Sequence, residues 1–291
     1  MITSPFEYAA PETLQQAVSL LAERAGAVVL AGGLSLLTSV KTGRAAPSLA
    51  VDLRKLGALR GIARRDGWLH VGTMTAWAEI AVDPEVRRAC AVLADAAEGL
   101  GDPQVRNRGT IGGNVCTTDA PSDGSAACLA LNAVLIAVGP NGRREIGAEA
   151  FYAAGTPPLE RGEIVTGIDI PAAHNRAGSA YEKFRHPASG YAICGVAAFL
   201  AEGADGLISA CRVAVTGAAD RPVRLSRVED AVQGQKASAE RFTAAARAVG
   251  DESLTFVGDL AASADYRKHL AGVLAERALV RAHTRMLQPG T

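Results

Sequence analysis

The stretch NRGTIGGNVCTTDAPSDGSAACL, residues 107–129, decides how this chain is interpreted. It places two adjacent glycines among threonines, aspartates and an asparagine, and then turns directly into an apolar segment. Small polar side chains bury little apolar surface, so the first part of the stretch is poor core material. We therefore interpret it as a loop that wraps a ligand and leads into a helix.

Two Gly-Gly pairs stand out, Gly112-Gly113 in this stretch and Gly32-Gly33 in LAGGLSLL. Successive backbone N–H groups in such loops can form an anion-binding nest, and glycine lets a diphosphate approach the backbone closely. A helix that begins after the first pair would add its partial positive charge. Neither pair fits G-x-G-x-x-G or GxxxxGK[ST], so a plain turn stays the alternative for either pair alone.

The second pair has more polar side chains around it than the first. Its hydroxyl, amide and carboxylate groups come from Thr110, Asn114, Thr117, Thr118, Asp119 and Asp123. A dinucleotide needs backbone and hydroxyl donors for its diphosphate and a carboxylate for its sugar hydroxyls. Asp123 also stands where a helix N-cap would fall, and a cap alone is the alternative for it. No nucleophile with a base partner is evident, so hydrolytic chemistry is not favoured.

Composition excludes several classes of function. The chain has 291 residues, 48% of them apolar, and 30 basic residues balance 30 acidic ones. This balance gives no electrostatic case for nucleic acid or an anionic membrane, and we see no signal peptide or membrane-spanning run. The five cysteines include no CxxC pair and the five histidines are scattered, so we expect no metal site, disulfide framework or iron–sulfur cluster. We expect a cytoplasmic protein.

The order of the predicted elements indicates an α+β protein. Residues 11–53 predict a small β-α-β unit, and residues 59–75 predict a hairpin around an RDG turn. A helical segment interrupted at Pro84 follows the hairpin, and a helix, a strand, a PNG turn and a return strand follow the polar stretch. Residues 171–178 are interpreted as a linker, and an antiparallel meander and two closing helices are predicted after it.

Three motifs in this order resemble a known family: AGGLSLL (31–37), GTIGGNVCTTDAPSD (109–123) and YEKFRHPASGYAICGVAA (181–198). The set resembles the FAD-binding medium subunit of the molybdenum hydroxylases, the carbon monoxide dehydrogenase and xanthine dehydrogenase family, over nearly the whole chain. The resemblance implies a two-subdomain FAD-binding fold of the vanillyl-alcohol-oxidase-like (PCMH) type and a C-terminal α+β domain with a small antiparallel sheet. We expect these three parts at residues 1–58, 59–177 and 178–291.

The resemblance also implies which residues bind FAD. The first segment, Ala31 to Leu36, would wrap one side of the diphosphate. Thr110 to Asn114 of the second segment would wrap the other side. Further positions would contact the phosphate, the polyol, the nucleotide or the isoalloxazine ring. The predicted cofactor-binding residues are Ala31, Gly32, Gly33, Leu34, Ser35, Leu36, Thr110, Ile111, Gly112, Gly113, Asn114, Thr117, Asp123, Ile164, Val165, Lys183 and Tyr191. No catalytic residue and no metal ligand are predicted on this chain.

Some of these positions have other interpretations. The family usually has a polar residue after the first Gly-Gly, and here it is Leu34, so one side-chain contact is expected to be lost. Cys116 is either inert packing or a redox-sensitive thiol near the flavin. Lys183 could be an ordinary surface lysine at a strand edge, and Tyr191 could be a core residue.

The resemblance finally implies a role and partners. This chain would carry FAD, accept electrons from [2Fe–2S] clusters on a small subunit and pass them to an external acceptor. A large subunit would hold molybdopterin and molybdenum and oxidise the substrate, so this chain alone would oxidise none. The expected assembly is a dimer of heterotrimers. The alternatives are a stand-alone flavin-dependent oxidoreductase of the same fold and a non-redox nucleotide-binding module.

Overall fold

The computed structural model describes residues 5–117, 121–172 and 176–288, so Thr118 and Asp119 lie outside the described part. Within these ranges the strands form a three-stranded, a five-stranded and a four-stranded sheet. These sheets follow one another along the chain, with strands from Glu7 to Asp52, from Ile62 to Pro171 and from Ala177 to Arg224. The domain boundaries expected after residues 58 and 177 stay a prediction.

The first unit is a parallel sheet flanked by helices. Its elements are β1 (Glu7–Ala9), α1 (Leu14–Glu23), β2 (Ala27–Leu30), α2 (Leu34–Lys41) and β3 (Leu49–Asp52). The strand order is β1-β3-β2, and both pairs are parallel. Helix α1 begins with a capping box between Thr13 and Gln16. The predicted β-α-β unit is confirmed, and β1 is an addition, since a three-residue edge strand carries too little alternation to be detected.

The second sheet is antiparallel throughout, with the order β4-β5-β8-β6-β7. Its strands are β4 (Ile62–Arg65), β5 (Trp68–Gly72), β6 (Val134–Gly139), β7 (Gly142–Gly147) and β8 (Ile164–Pro171). Two short 3-10 helices, Leu53–Lys55 and Gly57–Leu59, connect it to the first unit. The predicted hairpin turn is confirmed at Asp66 and Gly67, whose φ angles are +49° and +81°.

Short helices lie between the strands of this sheet along the chain, and buried residues of several of them share one core cluster with its strands. They are α3 (Trp77–Val82), α4 (Pro84–Ala89), α5 (Ala91–Glu98), α6 (Pro103–Arg108), α7 (Ile111–Val115), α8 (Asp123–Ala130) and α9 (Ala148–Tyr152). The predicted break at Pro84 is confirmed, and a second break lies at Cys90, whose φ and ψ of −150° and 65° are not helical. Every residue of α8 is buried, which explains its small side chains. This helix begins at Asp123, one of the predicted site residues.

The last part is an antiparallel sheet covered by helices, as the meander and the closing helices predicted. The sheet has the order β12-β11-β10-β9. The elements are β9 (Ala177–Arg185), β10 (Ala192–Glu202), β11 (Ile208–Thr216), β12 (Val223–Arg224), α10 (Ser226–Val232), α11 (Ala239–Ala246), a 3-10 helix (Arg247–Asp251) and α12 (Ala264–Leu287). A Cβ on Gly178 would lie 2.1 Å from the carbonyl oxygen of Ala282, so α12 lies directly on β9. No helix of the described residues combines the length and apolarity that crossing a membrane requires.

Candidate functional site

The fold brings the two glycine segments into direct contact. A Cβ on Gly32 would lie 2.3 Å from the carbonyl oxygen of Arg108 and 3.1 Å from the Cα of Gly109. A Cβ on Gly109 would in turn lie 3.4 Å from Cδ1 of Leu34. Only a residue without a side chain allows this approach, so Gly32 fixes the spacing between the two segments. The sequence predicted both segments but not that their backbones touch.

The first segment ends in a helix start that lacks a side-chain cap. Gly33, with φ of +82°, is the N-cap of α2, and among the residues that the structure describes no side chain caps the first turn. The N–H groups of Leu34, Ser35 and Leu36 have no partner within an α-helix by geometry. These amides and the positive end of the helix suit an anionic group such as a diphosphate. The predicted helix after the first glycine pair is confirmed.

The second segment has another conformation than the predicted loop. Residues Ile111–Val115 form a single helical turn, and the Thr110 hydroxyl caps it by accepting the Gly113 N–H at 3.1 Å. The N–H groups of Ile111 and Gly112 donate to the carbonyl oxygens of Thr75 and Thr73, at 3.0 and 2.9 Å. The predicted nest of free amides at Gly112-Gly113 is therefore wrong, because the Thr73 carbonyl and the Thr110 hydroxyl already accept these two N–H groups.

The two glycines of this turn have separate roles. A Cβ on Gly112 would lie 2.5 Å from Cβ of Thr73, so this position packs the turn against the second sheet. Gly113 is exposed, and a Cβ there would lie 4.0 Å from Cβ of Ala31 on the first segment. Gly113 is therefore an exposed position beside the first segment, where the lack of a side chain allows close approach of a ligand but its N–H is not a free donor.

Asn114 ties this turn to the start of α8. Its Oδ1 accepts the N–H of Gly124 at 2.8 Å and the hydroxyl of Ser122 at 3.0 Å. Trp77 fills the space beneath, since a Cβ on Gly124 would lie 3.0 Å from its Cη2. The oxygen of the Asn114 amide thus holds the scaffold of the site.

Asp123 is not the N-cap that the sequence predicted. Ser122 is the N-cap residue, and Asp123 is the first residue of α8. Its carboxylate turns towards β9, where it accepts the Tyr181 hydroxyl at 2.5 Å and the Lys183 ammonium at 2.8 Å. The buried lysine attracts the carboxylate more strongly than the helix amides do, because opposite charges interact strongly away from water.

The three side chains form a buried cluster, Asp123–Tyr181–Lys183. The side chains of Asp123 and Lys183 are 4% and 7% exposed, and Tyr181 is 4% exposed. Burial holds the pKa of Asp123 above its ordinary value, and the charge and hydrogen bond of Lys183 and the hydrogen bond of Tyr181 offset only part of that rise. Burial and the Asp123 charge raise the pKa of Tyr181 well above its ordinary value, so its hydroxyl is a proton donor at neutral pH. The alternative of a surface lysine at position 183 is wrong.

Tyr181 was missed by the sequence analysis. Side chains two residues apart on a strand point to the same face, so Tyr181 and Lys183 on β9 share one. This alternation was the signal in the sequence that could have paired Tyr181 with Lys183. Their common partner, Asp123, is 58 and 60 residues away along the chain, so the sequence did not indicate it. Lys183 also donates to the carbonyl oxygen of Gly99 at 3.2 Å. Its ammonium has three N–H donors, and within the described part of the chain these two bonds occupy two of them.

Tyr191 lies at the edge of the site on the hairpin between β9 and β10. Its ring is 49% exposed, so the core alternative is wrong. The hairpin is held in place where a Cβ on Gly190 would lie 3.2 Å from the Cα of Gly101, and the Tyr191 carbonyl accepts the His186 N–H at 2.8 Å. An exposed aromatic ring on a fixed hairpin can cover a flat ligand.

Other predicted positions contribute less exposed surface. Ile164 and Val165 are 2% and 5% exposed and lie in two separate cores, so their contact with a nucleotide stays a prediction. Thr117 is half-buried after α7, and Leu34 is 40% exposed beside Gly109. Burial raises the pKa of the Cys116 thiol to about 12, which favours inert packing over a reactive thiolate.

Comparison with known proteins identifies the family. A family model described as "FAD binding domain in molybdopterin dehydrogenase" matches residues 4–173, and one described as "CO dehydrogenase flavoprotein C-terminal domain" matches residues 179–282. This chain belongs to the FAD-binding medium subunits of the molybdenum hydroxylases. It is thus an oxidoreductase subunit with an FAD-binding domain and a C-terminal domain that contains an antiparallel sheet.

Relatives match over almost their full length. The carbon monoxide dehydrogenase medium chain of Hydrogenophaga pseudoflava is 34% identical, covering 96% of this medium subunit and 97% of the relative. The nicotine 6-hydroxylase medium subunit of Paenarthrobacter nicotinovorans is also 34% identical, with the same coverage. A solved carbon monoxide dehydrogenase from H. pseudoflava, which lacks the Mo-pyranopterin moiety, superposes with a TM-score of 0.92 at 35% identity, covering 98% of this chain and 99% of that chain.

The residues of this medium subunit fit FAD. The uncapped start of α2 offers amides to a diphosphate, and Lys183 offers a third N–H within a nearly closed site. Tyr191 offers an exposed ring for a flat ring system. Within the described residues no cluster of His, Cys, Asp and Glu could hold a metal ion.

Proposed function

We propose that this chain is the FAD-carrying electron-transfer subunit of a molybdenum hydroxylase complex. The observation that carries the proposal is the contact between the two glycine segments beside the uncapped start of α2. FAD, when bound, supplies a carrier that accepts electrons from [2Fe–2S] clusters of a small subunit and passes them to an external acceptor.

The first segment, Ala31 to Leu36, holds the diphosphate through backbone amides. Gly33 adopts the left-handed conformation that turns the chain from β2 into α2, and the amides of the first helical turn donate to phosphate oxygens. Thr110 to Asn114 close the opposite side, where Gly113 admits the ligand and Thr110 keeps the turn helical. Leu34 contributes its backbone amide, and its side chain packs on Gly109.

The cluster Asp123–Tyr181–Lys183 and the ring of Tyr191 serve the flavin end of the cofactor. Lys183 donates its third N–H to the cofactor, and Asp123 holds that ammonium in position at 2.8 Å. Thr117, Ile164 and Val165 contribute contacts further along the nucleotide. Tyr191, which is exposed, would cover the isoalloxazine ring and limit access of water to it.

The complex that we propose contains two further kinds of subunit. A small subunit holds the [2Fe–2S] clusters, a large subunit holds molybdopterin and molybdenum and oxidises the substrate, and the complex is a cytoplasmic dimer of heterotrimers. The relatives are named as medium chains or medium subunits, which supports assembly with further subunits.

The test of FAD binding compares Gly33→Asp with Gly43→Asp. Both glycines flank α2 and have positive φ, +82° and +73°, and nothing lies within 4 Å of a Cβ on Gly43. Both variants therefore carry similar backbone strain, although a Cβ at Gly33 also lies 3.1 Å from Cδ1 of Leu37, and only Gly33→Asp would place a carboxylate against the diphosphate. We expect its Kd for FAD, measured by flavin fluorescence, to rise at least about 100-fold, equivalent to roughly 2.7 kcal/mol. Equal affinities of the two variants would show the segment assignment to be wrong.

The test of the complex is co-purification from the native source. An affinity-tagged chain is expected to bring down two further polypeptides together with iron and molybdenum. A chain that binds FAD but remains alone and metal-free would favour the stand-alone flavoenzyme. A colourless chain that takes up no added FAD would favour the nucleotide-binding module.

A further inference from the structure

We propose that Tyr181 is a positioning residue that keeps Asp123 ionised against Lys183 and thereby sets the reduction potential of the bound flavin. This inference rests on the proposed function, in which Lys183 contacts the cofactor. Tyr181 itself makes no contact that the FAD-binding assignment requires.

The structure makes room specifically for the Tyr181 hydroxyl. Gly195 lies opposite Lys183 in the middle of β10, where a Cβ would come within 2.0 Å of Tyr181 Oη and 2.8 Å of its Cζ. Glycine weakens a strand interior and commonly marks a close approach of another group. The side chain that β10 lacks is therefore replaced by the tyrosine ring that reaches Asp123.

The hydroxyl completes the hydrogen bonds of a buried carboxylate. Tyr181 donates to Oδ1 of Asp123 at 2.5 Å, and Lys183 donates to Oδ2 at 2.8 Å. Asp123 is 3% exposed, so water offers little replacement if one donor is removed. Losing a donor to the charged form disfavours that form, and the carboxylate would then take up a proton.

Protonation of Asp123 would change the net charge of the site. With Asp123 ionised, its negative charge balances the Lys183 ammonium, and the buried pair is neutral. With Asp123 protonated, the Lys183 charge is uncompensated in a region of low polarity. An uncompensated positive charge beside the flavin favours the reduced cofactor, which gains electrons. By keeping Asp123 ionised, Tyr181 therefore lowers the reduction potential of the bound flavin.

The other charged and titratable groups around Tyr181 already have partners. Its N–H donates to Asp95 of α5 at 3.0 Å, and its carbonyl accepts from Arg281 of α12 at 3.4 Å. Cys194 of β10 is buried, and burial raises its pKa to about 12, so it is neutral. These groups are unchanged when only the hydroxyl is removed.

The experiment measures the midpoint potential of FAD bound to the full chain by dye equilibration. The variants are Tyr181→Phe, Asp123→Asn and the double variant. Tyr152→Phe is the matched control, a buried tyrosine whose hydroxyl donates to the Val115 carbonyl at 3.2 Å. We expect Tyr181→Phe and Asp123→Asn each to raise the reduced-to-oxidised ratio at fixed potential at least about tenfold, roughly 30 mV for a two-electron couple.

The double variant distinguishes this mechanism from a general loosening of the site. Both single changes neutralise the same carboxylate, so the double variant should shift no further than Asp123→Asn alone. Additive shifts, or a Tyr181→Phe potential equal to that of Tyr152→Phe, would overturn the inference. Loss of FAD binding by folded Tyr181→Phe would also overturn it, since the role would then be structural. A wild-type chain that binds no FAD would instead refute the proposed function.

Discussion

Two neighbouring glycines of the first segment, Gly32 and Gly33, are required for different physical reasons. Gly33 has φ of +82°, which L-residues with a Cβ rarely adopt. Gly32 has an ordinary backbone, but a Cβ there would collide with the Arg108 carbonyl at 2.3 Å. The sequence shows only that both are glycine, and the partner of Gly32 lies on a segment that sequence periodicity does not relate to it.

We predict that Gly32→Ala forces the two segments apart. The added methyl group meets backbone atoms that cannot rotate away, so the FAD affinity should fall and unfolding should become easier by about 1–3 kcal/mol. Gly57→Ala is the control, because no atom lies within 4 Å of a Cβ there. Urea unfolding and FAD titration measure both effects, and an unaltered FAD affinity in a folded Gly32→Ala would contradict the role assigned to this contact.

Cys116 is predicted to be unreactive in the folded chain. Burial raises its pKa to about 12, so at pH 8 almost none of the thiol is present as the nucleophilic thiolate. Mass spectrometry after iodoacetamide treatment should find Cys116 alkylated only after unfolding in urea. Rapid alkylation in the native protein would restore the alternative of a redox-sensitive thiol.

At the scale of elements, the carboxylate of Asp52, at the end of β3, is stabilised by hydrogen bonds from residues outside that strand. Asp52 is 2% exposed, and it accepts the Tyr8 hydroxyl at 2.9 Å and the N–H and Nε of Arg54 at 2.9 and 2.6 Å. Burial alone would raise its pKa, but the bonds from Arg54 and Tyr8 outweigh burial and hold the pKa below its ordinary value. These bonds join β1 to the end of β3.

The lowered pKa of Asp52 predicts a pH dependence of stability. Because the folded-state pKa is depressed, the stabilisation is fully present above the unfolded pKa of about 3.9 and is lost as pH falls through the folded value. Asp52→Asn should cost about 1–3 kcal/mol at pH 7 and reduce the loss of stability on acidification. The exposed Asp230→Asn serves as control, and unfolding free energies from pH 7 to pH 3 measure the difference. Parallel curves for wild type and Asp52→Asn would refute the prediction.

Local sequence signals predicted elements where the cause is local. Asp66-Gly67 specifies its turn, Pro84 ends one helix and starts another, and the glycine pair at 32–33 precedes a helix. The helical turn at Ile111–Val115 was not predicted, because carbonyl groups of Thr73 and Thr75, far upstream, hold its amides. The N-cap role predicted for Asp123 is wrong for the same reason, since the side chains that bond to its carboxylate come from β9.

At the scale of the whole molecule, one carboxylate joins the FAD-binding domain to the C-terminal domain. Asp95 of α5 is bonded by Arg281 and Arg285 of α12, at 3.0 and 2.6 Å, and by the Tyr181 N–H at 3.0 Å. Its side chain is 8% exposed. The sequence offered no hint of this contact, because its members lie up to 190 residues apart.

We predict that Asp95→Ala weakens the junction between the domains. Removing the carboxylate leaves the Tyr181 N–H without its acceptor, and Arg281 and Arg285 keep only their bonds to Glu182 and to backbone carbonyls, at a cost of about 2–3 kcal/mol. Glu85→Ala is the control, because its pair with Arg88 has side chains 43% and 55% exposed and should contribute less than about 1 kcal/mol. Urea unfolding of both variants gives the comparison, and equal midpoints would show that the junction does not depend on Asp95.

The packing of α12 on β9 and β10 also affects how the chain is made. The strand β10 is complete at Glu202, whereas the helix that covers it runs from Ala264 to Leu287. Until that helix has been synthesised, residues such as Val196, Ala198 and Leu200, fully buried in the finished fold, face water. At about 5–20 residues per second this interval lasts on the order of ten seconds, during which the nascent sheet is open to aggregation. We therefore expect ribosome pausing between the two elements to lower the yield of folded chain, and chaperones that bind the uncovered sheet to raise it.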